Sequence, residues 1–197
     1  MIKIKEYFLS KKDKHYIGYL KNYNHYQEAQ RNRALAQVQN WRVAIDIGAN
    51  IGLWSKDLSS YFSKTICFEP NKDCIKYLKK NININKSKIY NVALGSKECK
   101  LDLHTPLESG GSSFINKTKV GVDKDGTTIY GPFDNKIPKI NVLVKTLDSY
   151  NFKNIDFIKI DVQGFELEVL KGSLITLQEN NPVICVEENE INLNNSN

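Results

Sequence analysis

The stretch VAIDIGANIGLWS, Val43 to Ser55, constrains the fold more than any other part of this chain. An apolar run of strand length carries an acid, Asp46, near its end. Gly48 and Gly52 then flank Ala49, Asn50 and Ile51, and an apolar helical pattern begins at Leu53. Glycine permits the positive φ of a tight turn and lets another group approach the backbone closely. A buried strand, a glycine turn and a helix make the opening unit of an open α/β sheet. Such sheets bind ligands beyond the carboxyl ends of their strands, at the point where the strand order reverses.

The chemistry of the turn narrows the ligand. A dinucleotide loop requires Gly-x-Gly-x-x-Gly ahead of a helix whose N-terminus holds a pyrophosphate. Here Asn50 stands at the second glycine position and Leu53 at the third, which is too bulky for close helix–strand packing. Asp46 would also sit badly beside a diphosphate. A cationic nucleoside without phosphate, S-adenosylmethionine, suits an acid there. A second apolar run, TICFEP, ends in Glu69 and Pro70. A carboxylate at that point of the second strand can accept both hydroxyls of a ribose.

The remaining chain repeats the strand–helix alternation and then departs from it. Helices are expected over residues 26–40, 53–61 and 74–81, and a third strand over 88–94. Residues 1–25 are polar and aromatic with weak periodicity. Residues 99–105 alternate with period two, a turn-rich stretch follows over 108–138, and 140–147 reads as another strand. Order returns with a nearly continuous apolar strand ending at Asp161, a helix closing near Gly172, and a last strand over 182–189. Apolar strands alternating with helices imply a parallel sheet covered on both faces. The expected fold is therefore α/β: a Rossmann-like, doubly wound, mostly parallel sheet with an inserted β-hairpin. One domain spans 1–197. Within it, 1–42 form an N-terminal cap and helix, 43–94 a cofactor-binding half, 97–147 the hairpin insertion and 155–190 a catalytic half.

Charge and cysteine usage exclude several classes. The formal charge of +6 is mild, with much of the excess in the first forty residues. It reads as a solvated surface in preference to a nucleic-acid footprint. Cys67, Cys74, Cys99 and Cys185 form no CxxC pair, so neither a zinc site nor a disulfide framework is expected. No run has the length of a membrane span or the character of a signal peptide. A cytoplasmic setting, with no membrane partner, is the expectation. The Lys- and Asn-rich composition would suit a phage or a bacterial polysaccharide locus.

Candidate chemistry gathers where the fourth and fifth strands of the parallel sheet end. Asp161 is the first choice for a base, with burial expected to raise its pKa. Lys159, on the same strand face, would polarise the acceptor or hold Asp161 ionised. Glu187 and Glu188 face opposite ways, so at most one of them faces the site. Asp161 and Glu187 could share a divalent ion, but the reading assigns no metal. Glu168 pairs on the surface with Lys171 at i, i+3, whereas Glu166 can reach the site. His104 is a further candidate base. His15 and His25, with Tyr16, Tyr19, Tyr23 and Tyr26, belong to an aromatic segment that either folds over the cofactor or packs. Arg31 and Arg33 would suit an anionic acceptor.

The motifs DIGANIG, FEP, NVALG, GGSS and above all IKIDVQGFELEVLKG resemble the FkbM-type S-adenosylmethionine-dependent methyltransferases over residues 43–190. The resemblance implies a class I methyltransferase fold and O-methylation of a sugar, glycan or small-metabolite hydroxyl. It implies that Asp46, Gly48, Ala49, Asn50 and Gly52 form the cofactor loop, with Asp161 beside it, and that Glu69 next to Pro70 takes the ribose. It places Asn91, Ala93 and Leu94 by the adenine, with Ser112 and Ser113 nearby. Two departures stand out. Gln163 occupies a position where the family commonly has Glu, and the chain stops before the last strand pair of the family's sheet. The fifth strand would then be an open edge for the N-terminal segment or a second copy to cover. The rival readings are a cofactor-binding module without catalysis and an RNA 2′-O-methyltransferase, whose Lys-Asp-Lys-Glu set Lys159, Asp161, Lys171 and Glu187 would supply.

Overall fold

The structure is a computed structural model that describes residues 1–105 and 138–187, together with the backbone of two strands between them, Lys117–Val122 and Thr128–Pro132. Its centre is a five-stranded, all-parallel sheet. The strands are β3 (Val43–Ile47), β4 (Lys64–Phe68), β5 (Ser87–Tyr90), β11 (Ile155–Ile160) and β12 (Val183–Val186), in the spatial order β12-β11-β3-β4-β5. The chain starts at the centre, winds outward through β4 and β5, and returns on the other side of β3. The switch point therefore lies between β3 and β11, whose registers pair Asp46 with Lys159 and Ile47 with Ile160.

Alternation along the strands builds two core layers. Ile45, Ile47, Ile66, Phe68, Ile158 and Ile160 pack on one face with Leu147 and Val169. Ala44 and Phe157 face the other way, against Trp54, Leu58 and Phe62 from helix α3 (Leu53–Tyr61) and its end, and against Leu35 of α2 (Glu28–Leu35). Asp46 and Lys159 lie on this second face and are buried there.

The N-terminal segment forms more than the sequence pattern indicates. β1 (Ile2–Ile4) and β2 (Tyr7–Leu9) make an antiparallel hairpin, and α1 (Lys14–Asn22) follows. Runs of three residues carry no readable period. Their order comes from burial of Tyr7, Leu9, Tyr16 and Leu20 against Ile51 and Leu53 of the glycine turn, and from Asn81 at the end of α4 (Lys72–Asn81). The Asn81 side chain accepts from Phe8 N (2.7 Å) and donates to Phe8 O (3.0 Å) and Ile51 O (2.7 Å).

The strand expected over 88–94 is two strands. The chain leaves the main sheet after Tyr90, and β6 (Ala93–Leu94) joins a second sheet of order β6-β10-β7 with β7 (Cys99–His104) and β10 (Lys139–Lys145). Asn91 marks the bend, donating to the carbonyls of Glu69 (3.0 Å) and Pro70 (2.7 Å). β7 and β10 pair antiparallel, and inside them β8 (Lys117–Val122) and β9 (Thr128–Pro132) form the expected hairpin insertion. After β11 come α5 (Glu166–Lys171) and α6 (Leu174–Asn180). The sequence pattern missed α6 because its leading residues, Leu174 and Ile175, are exposed. Among the described residues no strand pairs with the outer edge of β12, although α2 packs over one of its faces through Val183 and Cys185. No helix among the described residues is long and apolar enough to cross a membrane.

Candidate functional site

The β3–α3 turn is held by the end of β4. Phe68 O accepts from both Gly48 N and Ala49 N at 3.0 Å. Gly48 has φ +78°, and a Cβ there would lie 1.9 Å from Asp161 O. Gly52 has φ +87°, and a Cβ there would lie 2.7 Å from Leu78 Cδ1. The first glycine thus lets the turns after β3 and β11 touch, and the second lets α3 start against α4. Both make room for the chain itself, which corrects the expectation that their space serves the ligand. Gly52 does not line the cavity described next.

A cavity of about 450 Å³ opens beyond the carboxyl ends of β3, β4 and β11. Gly48, Ala49, Asn50 and Ile51 form one wall, and Glu69 and Pro70 another. Val92, Ala93, Leu94 and Leu103 supply an apolar wall from the second sheet, and Asp161, Gln163 and Glu187 a polar one. His15, Tyr16 and Tyr26 close the top from the N-terminal cap, their rings meeting edge to face. Tyr16 Oη accepts from Asn50 Nδ2 (3.1 Å), which ties the cap to the glycine turn. The aromatic segment therefore folds over the cavity and packs there at once.

Glu69 is buried at the junction of two turns. Its Oε2 accepts from Asn50 N (2.8 Å) and its Oε1 from Asn71 N (2.7 Å). Burial pushes its carboxyl up to about 7, against the pull of those two N–H donors. Each carboxylate oxygen has a second lone-pair direction, so the group can accept two more hydrogen bonds from within the cavity.

The second polar centre is a row of charges. Lys159 Nζ lies 3.4 Å from Asp46 Oδ1 and 3.2 Å from Asp161 Oδ2, with the Trp54 ring centroid 5.8 Å away. Burial works to neutralise this ammonium, but the two carboxylates outweigh it and hold it charged. Asp46 Oδ2 also accepts from Ser55 Oγ (2.5 Å), in the first turn of α3. Asp46 does not line the cavity: it lies beneath the turn, against Lys159 and Ser55.

Gln163 Nε2 donates to Asp161 Oδ1 and to Glu187 Oε2, each at 2.7 Å. Burial works to raise the Asp161 carboxyl, yet Lys159 and the hydrogen bonds from its neighbours bring it below its ordinary value. That overturns the expectation of a raised pKa at Asp161. Glu187 behaves the other way: burial, with the adjoining Asp161 charge, pushes it up to about 8. The group that carries a proton at neutral pH is therefore Glu187. A cation shared by the two acids would find the Gln163 nitrogen between them.

Several expected residues stand elsewhere. Asn91 does not line the cavity, since its amide is spent on the Glu69 and Pro70 carbonyls. Ser112 and Ser113 lie outside the described residues. Glu166 folds back on its own turn, where Oε1 accepts from Val162 N (3.0 Å) and Gly164 N (3.1 Å). Glu168 bonds Lys171 (2.6 Å), so Lys171 is not part of a catalytic tetrad with Asp161. His104 is buried outside the cavity. Arg31 is buried on Asp57 (2.8 Å) and Tyr26 O (3.0 Å), and Arg33 is exposed, so neither is placed to meet an anionic acceptor. The sequence reading missed Ser55 and Trp54. Their signal was available: the first turn of the helix after the glycine loop faces the end of the first parallel strand.

The Methyltransferase FkbM domain family matches residues 46–196. Methyltransferase sdnD of Sordaria araneosa is 30% identical over 152 residues, covering 65% of this chain and 59% of that protein. Methyltransferase 1 of Beauveria bassiana is 24% identical over 141 residues, covering 65% and 57%. The chain thus spans a little under three-fifths of the length of these curated relatives. Among solved structures, a methyltransferase FkbM from Methylobacillus flagellatus aligns over 81% of this chain and 38% of its own, with 17% identity and a TM-score of 0.49. The match over residues 46–196 includes the glycine turn, Glu69, Asp161, Gln163 and Glu187, and the chain belongs to the FkbM methyltransferase domain family.

Proposed function

We propose that the protein is an S-adenosylmethionine-dependent O-methyltransferase acting on a hydroxyl of a sugar, glycan or small metabolite. The observation that carries this reading is Glu69: a buried carboxylate that lines the cavity, fixed by two backbone N–H groups and able to accept further hydrogen bonds. Such a group meets a vicinal diol, and the nucleoside's ribose offers one. The residues present fit the cofactor in other respects. The cavity's volume falls within the roughly 300–1,000 Å³ typical of small-molecule sites. Val92, Ala93, Leu94 and Leu103 give an adenine an apolar wall. The carboxylates of Asp46 and Asp161 against the single charge of Lys159 leave the far end net negative, which suits a sulfonium and an ammonium.

When bound, the cofactor supplies an activated methyl group, so the protein's task is to position the acceptor and take its proton. Asp161, Gln163 and Glu187 line the side of the cavity near Tyr16 and Tyr26, where the acceptor hydroxyl would enter. Asp161 orients it as an ionised acceptor, and Glu187, in the fraction that is ionised, takes up the proton. The aromatic rings exclude water from the same space.

Mass spectrometry of the purified protein for retained adenosylmethionine or its demethylated product tests the cofactor. A panel of hydroxylated acceptors, followed by methyl incorporation, tests the reaction. Tight binding with no methyl transfer to any of them would mark a binding module instead of an enzyme, and no binding at all would refute the reading.

A further inference from the structure

The turn after β11 is built to an unusual specification. Gln163 has φ +56° and Gly164 φ +98°, so two consecutive residues take left-handed backbone, one of them with a side chain. That conformation costs a non-glycine residue about 1 kcal/mol or more and persists only where the surroundings impose it. Here Glu166 imposes it, by accepting from the N–H groups of Val162 and Gly164. The result is that the Gln163 side chain swings over the ends of two neighbouring strands. Asp161 is pinned to β3 through Asp161 N to Ile47 O (3.1 Å), and Glu187 to β11 through Glu187 N to Ile160 O (2.9 Å). With both backbones fixed, one amide nitrogen reaches both carboxylates at the same distance.

We propose that Gln163 is a positioning residue whose amide clamps Asp161 and Glu187 into one proton-sharing pair that serves as the base of the reaction. The base role rests on the proposed methyl transfer; the pairing does not. In that step the acceptor's hydroxyl oxygen forms the new bond to the methyl carbon as the carbon–sulfur bond breaks. The electron pair of that bond stays on sulfur, which becomes a neutral thioether, and the hydroxyl proton passes to Glu187. The competent pair is doubly ionised beforehand and singly protonated afterwards. A neutral amide stabilises both charges through its two N–H groups, whereas a carboxylate at position 163 would repel them.

The charged and titratable groups facing the pair are Lys159 on β11, Asp46 on β3, Glu166 on α5, Cys185 on β12, Tyr16 on α1, and Tyr26 just ahead of α2. Lys159 is the one cation among them, and it contacts Asp161 directly. This asymmetry keeps the ionised member at Asp161 and the proton at Glu187, with burial pushing Glu187 up to about 8.

The test is a carboxyl carbon-13 NMR titration of the full chain, with Glu187→Gln used to assign the resonance. In the wild type the Glu187 signal should titrate near 8, and the Asp161 signal should show an inflection at the same pH, as coupled groups do. Gln163→Asn keeps an amide and a residue tolerant of left-handed backbone, but it is one methylene too short to span both acids. It should raise the Glu187 midpoint by about one unit or more, through the lost N–H bond to the charged form. Gln163→Glu should raise the midpoint further by adding a like charge. Variants that lower the melting temperature without moving the midpoint would overturn the proposal. So would independent titration of the two acids in the wild type, a result that needs no variant to fold. Failure to bind adenosylmethionine would leave these titrations intact and would count against the proposed reaction alone.

Discussion

Replacing Glu69 by alanine should weaken adenosylmethionine binding about 10- to 100-fold, and the loss should depend on pH. Two hydrogen bonds from a diol to an ionised carboxylate are worth about 1.5–3 kcal/mol each in gross terms. Water entering the vacated space would bond Asn50 N and Asn71 N, which Glu69 now occupies, and would recover part of that sum. A net loss of about 1.4–2.8 kcal/mol remains, which gives the stated range. The pH term follows from the carboxyl being pushed up to about 7 in the free protein. The diol bonds favour the ionised form, so binding should release a proton at neutral pH. One unit below the midpoint only about a tenth of the carboxyl is ionised, and wild-type affinity should drop about tenfold there. The alanine variant lacks this dependence, so the gap between the two proteins should narrow as pH falls. Calorimetry at several pH values, in buffers of different ionisation enthalpy, reads both affinity and proton release. Equal affinity of the two proteins, or a gap that does not change with pH, would refute the placement of Glu69 on the ribose.

Other outcomes follow from the same contacts. Lys159→Met should leave Asp46 and Asp161 buried without their cation and cost about 3–5 kcal/mol at neutral pH, measurable by urea denaturation. Gly48→Ala would force a Cβ onto the Asp161 carbonyl, so it should cost at least about 2 kcal/mol and abolish cofactor binding. Gly18→Ala, at an exposed position of α1 with nothing within 4 Å of the added carbon, should instead stabilise by about 0.5–1 kcal/mol, seen as a raised melting temperature. Glu69 and Glu187 are raised above their ordinary 4.5, so the unfolded chain loses these protons first. Their contribution to stability should be fully present below about pH 4.5 and fall as pH rises toward about 8. A Glu69→Gln, Glu187→Gln double variant should show a flatter decline of melting temperature over that window.

The parallel sheet was readable because its inner strands β3, β4 and β11 are buried on both faces, and continuous apolar runs such as IDFIKI just before Asp161 announce that burial. The glycine turn and Glu69 were readable for a related reason: both sit where an apolar strand of the parallel sheet ends. What escaped the sequence reading depends on contacts between distant segments. Asp46 looks like a cofactor ligand in its own strand, but its register with Lys159 across β11 and its bond to Ser55 turn it inward. Gly52 looks like part of the loop, but Leu78 of α4 decides its identity. Asp161 was expected to be raised by burial, and Lys159, two residues away, reverses the sign. The β1–β2 hairpin has no pattern of its own, because its order is lent by Asn81 and the glycine turn.

The most direct test is a crystal structure with adenosylmethionine or its demethylated product. The account predicts the nucleoside in the cavity between the glycine turn and Val92–Leu94, with both ribose hydroxyls hydrogen-bonded to the Glu69 carboxylate and the sulfur end toward Asp161. A nucleoside bound elsewhere, or Glu69 turned away from the ribose, would contradict it.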